Sequence, residues 1–127
     1  MNVNNINIIK PVNIKEGTPE YDEWYQGMLD MEKHYMKMAE LGCKPDQLRM
    51  LLPHSTAAEV VMTANIREWR HILDLRTKKM THPAIRQILI PLLLKFKKDM
   101  PELFSDIEYD TEFPKEKYAK LEVIENG

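Results

Sequence analysis

The chain is short of the residues that build several common kinds of site. It has one cysteine, Cys43, which excludes an internal disulfide and a cysteine-built metal centre. Only four glycines occur in its 127 residues, and none falls in a phosphate-cradling glycine loop. The four histidines, His34, His54, His71 and His82, match no zinc spacing, so no metal site is expected. No nucleophile elbow or Ser/His/Asp order points to acyl transfer. The longest apolar run, 88–94, is broken by Pro91 and ends at Lys95, far short of the ~20 residues that cross a bilayer. MNVNNINIIK shows neither the basic start nor the apolar core of a secretory signal. Cytoplasmic location, in a reducing compartment and without membrane contact, is the expectation. Eighteen basic against twenty acidic side chains leave a net charge of −2, not the excess of a general nucleic-acid binder.

What is present is enough apolar content, 43%, for one real core. Residues 1–17 carry alternating isoleucines and read as an extended lead-in or edge strand, interrupted by Pro11. Thr18-Pro19-Glu20 is a helix start, and Tyr21, Trp24, Met28, Met31, Tyr35 and Met38 then recur at helical spacing as a core stripe. Asp22, Glu23, Asp30, Glu32 and Lys33 lie off it, and Gly42 is the stop. Pro45 to Leu52 is a second, short helix, with Leu48, Leu51 and Leu52 inward and Arg49 on another face. Residues 59–63, EVVMT, read as a strand because they are rich in β-branched side chains. Asn65 and Glu68 have capping-box spacing and open a helix to about Arg76 that buries Ile66, Trp69, Ile72 and Leu73. Arg67, His71 and Asp74 share its other face, and Arg70 with Asp74 forms an i, i+4 pair. Pro83 starts a further helix that holds Pro91 and should kink there, and Met100-Pro101 ends it. The tail from Glu108 is mixed and charged, and is expected to be loosely held. The division is thus a lead-in over 1–17, a domain over 18–107 and a tail over 108–127. The fold class is α+β, mostly helical, with one short central strand.

The arginines are the chemical signal. A guanidinium is a permanent cation with fixed donors that match phosphates and planar carbonyl edges two bonds at a time. Arg49 precedes a Leu-Pro break, while Arg67, Arg70 and Arg76 lie on one well-marked helix. From spacing alone, a surface pairing and a ligand role stay open for each. Pairing with Asp74 makes Arg70 the weakest ligand candidate, and Arg76 also suits a helix C-terminus. Asn65 has a cap to form, but helix N-termini attract phosphates as well. His71, one turn after Arg67, is the histidine to keep as a ligand candidate. The residues alone indicate a domain for an anionic, planar ligand.

The run LRMLLPHSTAAEVVMTANIREWRHILDLRT, followed by THPAIRQILIPLL, resembles the C-terminal half of flavin-dependent thymidylate synthases. The similarity extends from Ile9-Lys10-Pro11 to about Ile107. Its pattern is Arg before Leu-Pro, then Thr-x-Asn-x-Arg-x-x-x-His, then Leu-Arg. The resemblance implies reductive methylation of deoxyuridylate (dUMP) to thymidylate (dTMP), with methylenetetrahydrofolate as carbon donor and NADPH as reductant through FAD. It implies that Arg49 and Arg76 bind dUMP, Arg49 at the phosphate and Arg76 at the uracil edge in a catalytic role. Asn65, Ile66, Arg67 and His71 match the FAD-holding stretch. Many members have His-Ala-Gln where this chain has Met80-Thr81-His82, so a contact near Met80 is not carried over. The family's upstream Arg-His-Arg and Ser-x-Arg-Tyr region is absent. The expectation is therefore a synthase part completed by an N-terminal half on a separate chain, within a homotetramer. The alternative is a nucleotide-binding or oligomerisation module that keeps the fold without the chemistry.

Overall fold

A computed structural model describes residues 2–3 and 6–122. They fall into two compact units, divided between Val60 and Val61.

In the first unit, β1 (Asn2–Val3) and β2 (Ile6–Asn7) form an antiparallel pair with Val3 opposite Ile6. Ile8 bridges to Thr56, while Ile9 N–H donates to Ser55 O at 2.7 Å and Ala57 N–H to Asn7 O at 2.9 Å. The period-two pattern does what it promises: Ile6 and Ile8 are buried, Asn7 and Ile9 exposed. The expected lead-in thus supplies core as well as edge; its Met1, Asn4 and Asn5 lie outside the described residues.

Helix α1 (Pro19–Glu40) starts where the local chemistry places it. Thr18 Oγ1 accepts from Tyr21 N–H at 3.3 Å, with proline in the first turn. At the other end Gly42 has φ +89°, Gly42 N–H bonds Ala39 O and Cys43 N–H bonds Met38 O, which is a Schellman stop. Trp24, Met28, Met31 and Tyr35 of the expected stripe pack on Ile6 and Ile8. Glu32, expected off the stripe, is 3% exposed and its Oε2 has no hydrogen-bond partner among the described residues. Helix α2 (Pro45–Leu48) runs into a 3₁₀ turn, Arg49–Leu51, and Leu52 goes extended before Pro53, as the proline requires.

The expected strand over 59–63, where the first unit ends and the second begins, is not formed. Residues 57–65 carry no secondary structure, and Val60, Val61 and Met62 are 80%, 96% and 52% exposed. Strand propensity needs a neighbouring strand for its backbone groups, and no described segment lies in a ladder with 59–63. The strands among the described residues are the short β1 and β2, so these residues form a mostly helical α+β fold without a central strand.

Helix α3 (Ile66–Arg76) packs on α4 (Pro83–Asp99), and α5 (Pro101–Phe104) follows at the far end of α4. Leu73, Leu93, Phe104 and Ile107 are buried together, with Trp69 edge-on to Phe96 at 5.9 Å. Full burial of such a side chain contributes roughly 1.5–3 kcal/mol. Ile66, expected inside, is 48% exposed and is not among the residues packed on this cluster. His82 accepts from Ala84 N–H through Nδ1 at 3.1 Å and so caps α4. Pro91 is buried inside α4, which runs through it.

The tail is the second correction. Residues 108–119 are tied down: Asp110 and Phe113 are buried, and Phe113 stacks on Tyr118 with centroids 6.1 Å apart. A charged composition hid two buried anchors. A 3₁₀ turn, Lys115–Lys117, precedes Tyr118. The last part of the expected tail, 123–127, lies outside the described residues. None of the described helices is long and apolar enough to cross a membrane.

Candidate functional site

Helix α3 presents most of the candidate residues. Asn65 Oδ1 accepts from Glu68 N–H at 2.9 Å, so the cap is made as its spacing predicts. That bond leaves the N–H groups of Ile66 and Arg67 pointing out of the helix start, next to the Arg67 side chain. Arg67 and His71 follow one turn apart on the exposed face, with Asp74 beyond them.

Arg76 is different. It lies nine residues past Arg67, about 180° round the helix and about 13 Å along it. Arg67 and His71 are therefore brought to one side of α3, with Asn65 at its start, and Arg76 is not among them. Arg49 belongs to the first unit, on the 3₁₀ turn, where Leu48 is turned inward and leaves it exposed.

Ion pairing sorts the five arginines. Arg70 grips both carboxylate oxygens of Asp106, at 2.8 and 2.7 Å, and donates to Leu103 O. This corrects the expected Arg70–Asp74 pair: Asp74 is taken by Lys78 at 3.2 Å. The fork holds the Asp106 carboxyl down to about 2 and raises Arg70, since each hydrogen bond favours the charged form. Arg86 pairs with buried Asp110 at 2.6 Å. Among the described residues, Arg49, Arg67 and Arg76 hold no ion pair, and all three are exposed. A cleft of about 270 Å³ lined by Arg70, His71, Asp74, Asp106 and Ile107 adjoins the Arg67 side; of the residues that the resemblance assigns to ligands, His71 lines it.

No group of three metal-ligating side chains occurs among the described residues. Arg67 and the open amides at the α3 start suit an anionic group such as a phosphate, and exposed Ile66 and His71 offer apolar or flat contact beside them. The Arg86–Asp110 pair escaped the sequence reading, because a separation of 24 positions leaves no periodic trace.

A family profile described as thymidylate synthase complementing protein matches residues 2–102. The chain belongs to that family. It is 35% identical over 63 residues to the flavin-dependent thymidylate synthase of Corynebacterium efficiens, covering 50% of this chain and 25% of that protein. It is 28% identical over 83 residues to the one from Pyrococcus abyssi, covering 65% and 34%. With the Corynebacterium glutamicum protein the identity is 32% over 63 residues, covering 50% and 25%. The matched part thus spans about a quarter to a third of the length of these thymidylate synthase relatives. No solved structure matches the chain.

Proposed function

We propose that this chain is the C-terminal part of a flavin-dependent thymidylate synthase. The reaction is reductive methylation of dUMP to dTMP, with methylenetetrahydrofolate as carbon donor and NADPH as reductant. The observation that carries this reading is the division of the arginines. Within a chain of this family, the three that the resemblance assigns to ligands are the three left exposed and without an ion pair among the described residues.

Arg49 binds the dUMP phosphate as a bidentate donor. Arg76 meets the uracil edge and favours ionisation of the ring nitrogen, which raises electron density at the carbon to be alkylated. A guanidinium suits that work because it stabilises charge without giving up a proton. Asn65, Ile66, Arg67 and His71 hold FAD, the first three around the α3 start and His71 one turn on. When bound, FAD supplies hydride-transfer chemistry that no side chain here can. Because Arg76 points away from the Arg67 side, one α3 helix serves ligands on two sides. An N-terminal half on a separate chain completes the sites, in a tetramer.

The test is to purify the chain alone and after co-expression with an upstream half. Flavin absorbance and dUMP-dependent NADPH oxidation are recorded for both. Flavin and turnover confined to the co-expressed sample support the split enzyme. If neither sample has flavin or turnover, the catalytic reading is wrong and a family scaffold without chemistry is left.

A further inference from the structure

The family match stops at residue 102, but the chain goes on to fold back along the turn that follows α3. Three alternate residues of the returning segment hold three successive residues of that turn. Asp110 N–H donates to Thr77 O at 2.8 Å. Lys78 Nζ donates to Glu108 O at 2.7 Å, and Lys79 Nζ pairs with Glu112 Oε2 at 2.7 Å, a hydrogen bond that raises the Lys79 pKa. Asp110 is itself anchored: its Oδ2 accepts from Arg86 at 2.6 Å and its Oδ1 from Glu112 N–H at 3.1 Å. The Arg86 guanidinium lies 5.2 Å from the centroid of Phe113, and Ala119 N–H donates to Gln87 O at 2.9 Å. That last bond meets a need set by the sequence. Pro91 has no N–H to offer the carbonyl four residues before it, and the returning segment supplies one.

The turn so gripped begins one residue after Arg76. Thr77 is fully buried and its hydroxyl donates to Leu73 O at 2.6 Å, while the Thr81 hydroxyl donates to Leu75 O at 3.1 Å. The backbone beside Arg76 is thus fixed from within the helix and from the returning segment. The guanidinium itself is exposed and holds no ion pair among the described residues. Fixed root and free head are what a ligand-facing arginine needs.

We propose that residues 108–119 are a strap that positions Arg76, with Asp110 as its positioning residue. This rests on the reading that Arg76 meets dUMP, and it extends the working part of the chain past the matched region.

The test uses the full chain together with the upstream half, as wild type, Asp110→Asn, Glu112→Gln and Arg76→Ala. Amide exchange is followed residue by residue, and dUMP affinity is titrated on the same samples well below their unfolding temperature. There, a lower global stability alone leaves affinity unchanged. Asp110→Asn keeps the N–H that Thr77 uses and removes the charge facing Arg86. The expected result is exchange at 77–81 faster by about tenfold, with 69–73 little changed. With it, dUMP binds about tenfold more weakly. Glu112→Gln, at the surface, moves both in the same direction by less. Arg76→Ala loses affinity without loosening the turn. Exchange that quickens evenly through α3 and α4, or a loosened turn with unchanged affinity, overturns the strap. Affinity that is absent in the wild type or indifferent to Arg76→Ala overturns the substrate reading, and the positioning role falls with it. Turn exchange indifferent to Asp110→Asn overturns the strap alone.

Discussion

Arg70 and Arg86 each hold a carboxylate, whereas Arg49, Arg67 and Arg76 hold none among the described residues. The two free guanidiniums assigned to dUMP should fail differently when removed. Arg49→Ala removes binding that ground and transition states share, so KM of the completed enzyme should rise about 10–100-fold with kcat little changed. Arg76→Ala loses dUMP affinity and, in addition, stabilisation of charge that grows during reaction, so kcat should fall about 100-fold or more on top of a raised KM, and Arg76→Lys should recover little of it. Steady-state kinetics at varied dUMP separates the two, and equal effects on kcat would dissolve the distinction. The Arg70–Asp106 fork has instead a structural signature in pH. Its carboxyl sits at about 2, below its ordinary value, so the fork stabilises the fold at and above the usual carboxylate range. That contribution fades as pH falls from about 4 through about 2. The stability difference between wild type and Arg70→Gln should therefore shrink over that window in acid melts. Which arginines are chemically notable was legible in their residue type and local setting. Which acids they meet was not: Arg70 chose Asp106, 36 residues away, over the in-register Asp74.

Helices α1 and α3 were legible because their start signals and periodic faces are local. Thr18 and Asn65 each accept the bond their position predicts. Asn65→Ala should cost about 1 kcal/mol of stability, while Asn65→Asp keeps the cap. If Asn65 also touches FAD, the alanine variant should lose flavin from the completed enzyme even in conditions where it stays folded. A difference in melting temperature with full flavin retention would confine Asn65 to capping. Glu32 shows where periodicity misleads: α1 turns it inward and leaves Oε2 without a hydrogen-bond partner among the described residues. A buried carboxyl oxygen lacking a hydrogen bond costs on the order of 1–3 kcal/mol, so Glu32→Met should raise thermal stability. A lower melting temperature would mean that the carboxylate is needed where it stands. The strap was illegible for another reason. Asp110 and Phe113 sit in a charged stretch, and only the fold shows that the carbonyl released by Pro91 lies within reach of Ala119.

At the scale of the whole chain, propensity and pairing come apart at residues 59–63. The sequence EVVMT favours a strand, while Val60, Val61 and Met62 stand open to solvent without a ladder. β-branched side chains stabilise a strand only through neighbours on a pleated surface, and a lone segment has none. An exposed, strand-prone segment of this kind can also pair with another chain. The proposed N-terminal half offers a direct way to satisfy it. In the chain alone, the backbone amides of 59–63 should exchange at rates close to those of an unfolded peptide. With the upstream half bound, alternate amides of the segment should be protected by about 100-fold or more, as one strand of a ladder forms. The pattern matters more than the amount. Alternation marks strand pairing, whereas uniform protection marks simple burial, and no protection would mean that the upstream half, if it binds, docks elsewhere. Aggregation gives a second reading of the same surface: placing a lysine at Val61, which blunts an exposed edge, should keep the isolated chain monomeric at higher concentration. If Val61→Lys also blocks assembly with the upstream half, the exposed segment and the assembly surface are one and the same.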